Sequence, residues 1–411
     1  MRRIHTLVIG AGQAGLAMSH CLTERAIPHV VLERGDIARS WTADRWDSLR
    51  LLTPNWQSRL PGHRYTGPDP DGFMARAEVA RYLESYAVAA RAPIETGVRV
   101  TALSAEAGGF RVATDRGDWQ AAQVVIATGA CTRASVPAFA AALPPHIAQL
   151  TPISYKHPDQ LAPGGVLVVG GSATGVQLAA EIARAGHAVI LSTGEHIRVP
   201  RHYRGRDIQR WMEASGLNAA TVDEVPDIDR LRRLPSLQLT GQARPQFTDL
   251  TALQEQGVEI TGRLALVQDG VARFSGALAN HCTLSDLKMT RLLAGFDTFA
   301  ETAGIAGLPA PERFAPTRVP EAPRLALDLA SGGIATVLWA TGFRPDHSWI
   351  DLPVFDRKGR LRHDGGAVAP GLHVLGLPFQ RHRTSALIDG VGRDARHVAT
   401  RIDQDRASRA A

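Results

Sequence analysis

The chain has 411 residues, 44% of them hydrophobic and 21% charged, with a net charge of +6. That balance describes an ordinary globular protein of two or three domains and excludes a disordered or fibrous chain. Three widely spaced cysteines, Cys21, Cys131 and Cys282, exclude a disulfide framework and a Cys-based zinc site and fit a reduced, cytoplasmic setting.

Taken in chain order, Thr6 to Ile9 reads as an apolar strand, Gln13 to Arg25 as a helix and His29 to Leu32 as the next strand. Between the first two runs Gly10-Ala-Gly12-Gln13-Ala14-Gly15, a match to G-x-G-x-x-G. The first glycine of such a loop allows the tight turn, the second lets the backbone approach a pyrophosphate, and the third lets helix and strand pack closely. Glu33, at the end of the second strand, is placed to accept hydrogen bonds from ribose hydroxyls. Met1-Arg-Arg followed by an apolar run imitates a secretory signal, but the interrupting glycines and Gln13 are better explained by a nucleotide loop. No run of 18 apolar residues occurs, so no membrane span is expected.

A tryptophan-rich connection, SWTADRWDSLRLLTP from Ser40, leads to a predicted helix over 76–90, strands over 94–103 and 110–114, and an apolar strand closing on Ala127-Thr128-Gly129. The pattern then repeats: a strand from Val166, a loop Gly170-Gly-Ser172-Ala173-Thr174-Gly175, a helix to Ala185 and a strand to Ser192. This second loop has serine at its middle position, and Thr193 stands where the first unit has Glu33. With no carboxylate to repel a 2′-phosphate, and with Arg198 and Arg201 nearby, the second unit leans toward NADPH over NADH. The basic run 198–210 lacks stacking aromatics and any helix-turn-helix or zinc-finger pattern, so nucleic acid is not expected as a partner. Fifteen histidines show no helical metal-ligand spacing, and no metal is expected. A helix over 283–303 and further strands at 336–345 and 372–378 complete the chain, with a final helix from Asp389.

The expected fold is α/β, with two Rossmann-like dinucleotide-binding domains. A second nucleotide-binding domain at 164–305 is expected to be inserted between two parts of the first, 1–163 and 306–411. Both loops, with A-T-G at 127–129 and A-T-G-F at 340–343, resemble the two-dinucleotide-binding-domain flavoproteins. The segment from Ser40 resembles the class B flavin-containing monooxygenases, including plant YUCCA-type enzymes and their bacterial relatives. That resemblance implies FAD on the first loop, with Glu33 and Arg34 at the adenosine end and Ser40, Trp41 and Leu51 along the flavin side. It implies Val100, Thr128 and Gly129 at the adenine and pyrophosphate, Gly342, Gly376 and Asp389 from the C-terminal part, and NADPH (or NADH) on residues 170–175 with Thr193 and the arginines beyond.

Asn55 is a candidate at the flavin's reactive edge, against the plainer reading of a turn asparagine. The family motif F-x-G-x-x-x-H-x-x-x-[YFW] aligns with the stretch 147–155, where Thr151 takes the histidine position and Tyr155 keeps the aromatic. Hydride transfer requires nicotinamide and flavin to stack in one cleft, and the lack of a cysteine pair removes the disulfide-reductase route. Oxygen and a small organic substrate are the expected partners, with oxygenation through a flavin C4a-(hydro)peroxide. An NAD(P)H oxidase or diaphorase releasing peroxide and a non-catalytic redox sensor stand as alternatives. A homodimer is expected from the enzyme class alone.

Overall fold

In the computed structural model, which describes residues 1–242 and 247–410, the first apolar run belongs to a longer strand, β1 (Arg2–Ile9). Leu7, Val8 and Ile9 are all buried, as in a parallel strand covered by helices on both faces. Helix α1 (Gln13–Glu24) and strand β2 (His29–Leu32) follow; β2 runs parallel to β1, with Leu32 opposite Ile9. After α2 (Arg76–Ala89), strand β3 (Ile94–Glu95) extends the sheet beyond β2. β4 (Val100–Glu106) and β5 (Gly109–Thr114) form an antiparallel pair leading to β6 (Trp119–Ile126), which lies parallel to β1 on its other side.

The chain then passes through β7 (Arg133–Ala134) into a second, five-stranded parallel sheet. Its members are β8 (Ala148–Leu150), β9 (Gly165–Val169), β10 (Val189–Ser192) after helix α3 (Ala173–Arg184), and β11 (Glu259–Thr261). Beyond the long helix α4 (Leu278–Thr302), strand β12 (Ile334–Trp339) inserts between β8 and β9. Thus β8 and β12, which lie on either side of the expected 164–305 segment, both belong to the second sheet. β13 (Phe343–Arg344) pairs antiparallel with β7 as the chain returns. β14 (Leu372–Val374) adds to the first sheet beside β6, and the last helix, α5 (Ile388–Ala410), packs on α1. The first sheet therefore draws on both ends of the chain and the second lies between them, the inserted arrangement expected from the sequence.

The two sheets have separate apolar cores. Met18, Leu22, Val391 and Val398 are among the residues joining α1 to α5, whereas Val166, Val176, Leu191 and Leu338 lie in the core of the second unit. Among the described residues, no helix is long and apolar enough to cross a membrane.

Candidate active site

The first glycine loop is shaped by its own contacts. Gly10 has φ +107, donates its N–H to Leu32 O at 2.8 Å, and would place a Cβ 2.6 Å from Ala127 O. A side chain on Gly15 would run into Gly10 O beneath the loop. Gly12 differs: its φ of −85 and ψ of −171 suit any residue, and nothing lies within 4 Å of the position its Cβ would take. The fold itself therefore does not demand glycine there; the bare backbone opens onto a groove instead. Helix α1 has no side-chain cap, so its free N–H groups give that end of the groove a positive character. Glu33 closes the loop from below, with Oε2 accepting from Ala11 N at 2.8 Å and Oε1 from Gly35 N at 3.1 Å.

The groove encloses about 310 Å³. Of the residues singled out from sequence, Gly10, Gly12, Gln13, Ala14, Glu33, Arg34, Ser40, Trp41, Val100, Thr128, Gly129 and Gly376 all line it. Thr128 Oγ1 is buried and has no hydrogen-bond partner, a polar atom left for something outside the protein chain. Gln13 Nε2 donates to Ala386 O at 3.3 Å and ties the loop to the segment entering α5. Arg39, Asp44, Arg45, Arg99, Cys131 and Asp346, which no sequence motif marks, also line the groove. Arg39 and Arg45 flank Ser40 and Trp41, and a diphosphate's need for cations was the signal that would have found them. A bare glycine backbone, an uncapped helix, a carboxylate and an orphaned hydroxyl together fit a dinucleotide.

Other expected residues lie elsewhere. Leu51 is in the first core, its N–H donating to Met74 O at 2.9 Å. The Asn55 amide is given to the backbone: Nδ2 donates to Asp69 O at 2.9 Å and Oδ1 accepts from Met74 N at 2.7 Å. That is the turn role, holding the 69–74 loop. Thr151 forms a local turn, its N–H donating to Ser154 Oγ at 2.9 Å and its carbonyl accepting from Tyr155 N at 2.8 Å. Asp389 is paired with Arg59, whose Nε and Nη2 donate to its two oxygens at 2.6 and 2.8 Å. Gly342 accepts from Ser135 N at 2.9 Å beside the β7–β13 pair.

The second loop repeats the first. Gly170 has φ +113, donates to Ser192 O at 2.8 Å and faces the carbonyl of Ala340, as Gly10 faces that of Ala127. A side chain on Gly175 would meet Gly170 O. Ser172 has φ −85 and ψ −172, the dihedrals of Gly12, so serine fits this place without strain. Ser172 and Thr174 are partly exposed, while Ala173 and Gly175 face inward. Thr193 is buried, its Oγ1 standing where a side chain on Gly171 would go. Gln238 Nε2 holds Gly171 O at 2.6 Å, and the buried Oε1 of the same amide has no partner.

Arg198 and Arg201 are turned into the protein. Each is 4% exposed. Arg198 pairs with Asp249 at 2.7 Å and Asp286 at 2.8 Å, and Arg201 pairs with Asp207 and donates to Leu52 O at 2.6 Å. Their charges are neutralised inside the protein, because a buried guanidinium without such partners would be far too costly.

The two units are joined near the groove. On α3, Glu181 accepts from Tyr155 Oη at 2.8 Å and also from Ser48 Oγ. Lys156 Nζ donates to Ala43 O at 2.5 Å, Ile153 O at 2.8 Å and Arg45 O at 3.3 Å. The Trp41–Arg45 wall of the first groove is thereby fixed to the linker entering the second unit. Burial lowers the Lys156 pKa from its ordinary value.

A sequence pattern described as pyridine nucleotide-disulphide oxidoreductase matches residues 7–220. The chain belongs to this family. An uncharacterized CzcO-like oxidoreductase of Geobacillus kaustophilus is 32% identical, over 97% of this chain and 98% of that protein. The rice indole-3-pyruvate monooxygenase YUCCA1 (Oryza sativa subsp. japonica) is 34% identical over 44% of this chain and 45% of its own. Among solved structures, a flavin-containing monooxygenase from Stenotrophomonas maltophilia shares the fold with a TM-score of 0.63 at 23% identity, covering 98% of this chain and 99% of that one. This member of the family is an oxidoreductase with no paired cysteines among its described residues.

Proposed function

We propose that this chain is an FAD-dependent, NADPH-using monooxygenase that inserts one oxygen atom into a small organic molecule at nitrogen, at sulfur or beside a carbonyl. The observation that carries the reading is the duplication of one loop geometry. Gly12 and Ser172 have the same backbone angles at the mouths of two uncapped helices, so the chain is built to hold two dinucleotides. FAD takes the first groove and NADPH the second loop. The flavin, when bound, supplies hydride acceptance and the reduction of oxygen.

The protein's own groups bind, orient and shield. The free N–H groups of α1 and the arginines at 39 and 45 offset the charge of a pyrophosphate, while Arg34 and Arg99 line the groove at its adenosine end. Glu33 keeps acceptor capacity on both oxygens for ribose hydroxyls, and the Thr128 hydroxyl donates into the groove. Trp41 covers one side and limits water. Residues 172–175 and the start of α3 hold the second pyrophosphate, Ser172 adding a hydroxyl donor. A second reading, an NAD(P)H oxidase releasing peroxide, is favoured by one observation: Asn55 and Thr151 are both engaged in turns, which leaves neither to steer oxygen chemistry.

The test begins with the visible spectrum of the purified protein, followed by anaerobic addition of NADPH. Flavin bleaching by NADPH is the expected result. Oxygen uptake is then followed with amines, sulfides and ketones: substrate-dependent uptake without matching peroxide supports oxygenation, and stoichiometric peroxide with every candidate supports the oxidase. A protein that neither carries nor takes up flavin overturns both.

A further inference from the structure

We infer that Arg263 reads the 2′-phosphate of NADPH, in place of the arginines that follow β10; this rests on the second loop being the NADPH site. The hydrogen-bond registers of the two units coincide. Leu32 lies opposite Glu95 in the first sheet, and Ser192 lies opposite Thr261 in the second. Glu33 N donates to Glu95 O at 2.9 Å, and Thr193 N donates to Thr261 O at 3.0 Å. Counting on two residues from each, Arg263 takes the position of Gly97, just before Val98, Arg99 and Val100 of the first groove's wall. By the same count Gly194 takes the position of Arg34, which lines that groove.

The missing side chain at 194 leaves the room. A Cβ on Gly194 would stand 3.3 Å from Arg263 Cβ and 3.4 Å from its Cδ, so the arginine's stem lies along the glycine where the first unit carries an arginine of its own. Arg263 is exposed and, among the described residues, its guanidinium has no carboxylate partner. The neighbouring Glu195 is paired with Lys288 at 2.6 Å. Thr193 is neutral and turned toward Gly171, so nothing at the strand end repels a phosphate, and Arg198 and Arg201 are already neutralised. An unpaired guanidinium fits a phosphate in bidentate fashion, and a 2′-hydroxyl offers it no charge.

The test uses the full-length, FAD-loaded protein and calorimetric titration with NADP⁺, NAD⁺, 2′,5′-ADP and 5′-AMP. Arg263→Ala is expected to weaken NADP⁺ and 2′,5′-ADP by roughly 10- to 100-fold, the range for a charge-assisted hydrogen bond. NAD⁺ and 5′-AMP should stay within about two-fold, and Arg263→Lys should recover part of the loss. Unchanged NADP⁺ affinity in Arg263→Ala, or an equal loss for NAD⁺, overturns the assignment. Wild-type protein that binds neither dinucleotide overturns the reading of the second loop, and the role of Arg263 falls with it.

Discussion

At the scale of single residues, the groove's most telling group is the Thr128 hydroxyl, buried without a partner. An unsatisfied buried hydroxyl costs about 1–3 kcal/mol, and a bound ligand that hydrogen-bonds it recovers part of that. Thr128→Val keeps the shape and removes the cost. The flavin-free variant is therefore expected to melt at or above the wild type, while its flavin dissociation constant rises roughly 5- to 10-fold. Calorimetry and flavin-fluorescence titration would show this, and a variant both less stable and equally tight in binding would contradict it. Such residues were legible because loop chemistry is local: Gly10, Gly12, Glu33 and Thr128 sit within short patterns whose spacing has a mechanical reason. Arg198 was not. Its neighbours in sequence suggest phosphate binding, but its partners Asp249 and Asp286 lie far along the chain, and no local pattern announces them.

At the scale of elements, α1, β2, α2 and the final helix fall close to where periodicity puts them, since an apolar face needs only its own sequence to declare itself. Which sheet a strand joins is another matter. The Ile334–Trp339 strand reads as buried, and nothing in its alternation says that it lies beside β9. The repeated A-T-G was the available clue, because Ala340 stands to Gly170 as Ala127 stands to Gly10. The segment between β14 and α5, together with α5 itself, holds a titratable pair that neither pattern revealed. Asp394 on α5 is fully buried, with its Oδ1 3.3 Å from His382 Nδ1 and with Ser385, Arg381 and Arg393 around it. Burial raises its pKa from 3.8 to about 6. A carboxyl raised on folding binds its proton more tightly in the folded state, so this contribution is fully present below about pH 4 and is lost as pH rises to about 6. His382 acts in the opposite sense, since burial lowers its pKa and acid then costs stability. Comparing wild type with Asp394→Asn isolates the carboxyl: the wild type should lose about 2–3 kcal/mol relative to the variant between pH 4 and pH 7. Denaturant melts across that range would measure it, and a difference independent of pH would rule the account out.

At the scale of the whole molecule, two similar units are useful only if they are held at a fixed distance, because a nicotinamide passes hydride only across a short, aligned gap. The paired strands at 133–134 and 343–344 provide one connection where the chain leaves and re-enters the first unit, and Lys156 provides another beside the groove. Its ammonium is held by the carbonyls of Ala43, Arg45 and Ile153, so one cation joins the Trp41–Arg45 wall to the linker of the second unit. Lys156→Met keeps the apolar stem and leaves three carbonyls without their donor, at a cost of about 2–3 kcal/mol if no water replaces it. Much of that strain falls on the groove wall. Flavin release is therefore expected to speed up roughly 10-fold, and NADPH-driven flavin reduction to slow, with Lys156→Arg restoring part of both because it still donates. A purely structural role would lower the melting temperature and leave these rates of the folded protein alone. Stopped-flow reduction and the flavin-release rate, measured below the melting range, separate the two, and rates equal to wild type in Lys156→Met would show that the wall keeps its place without the cation.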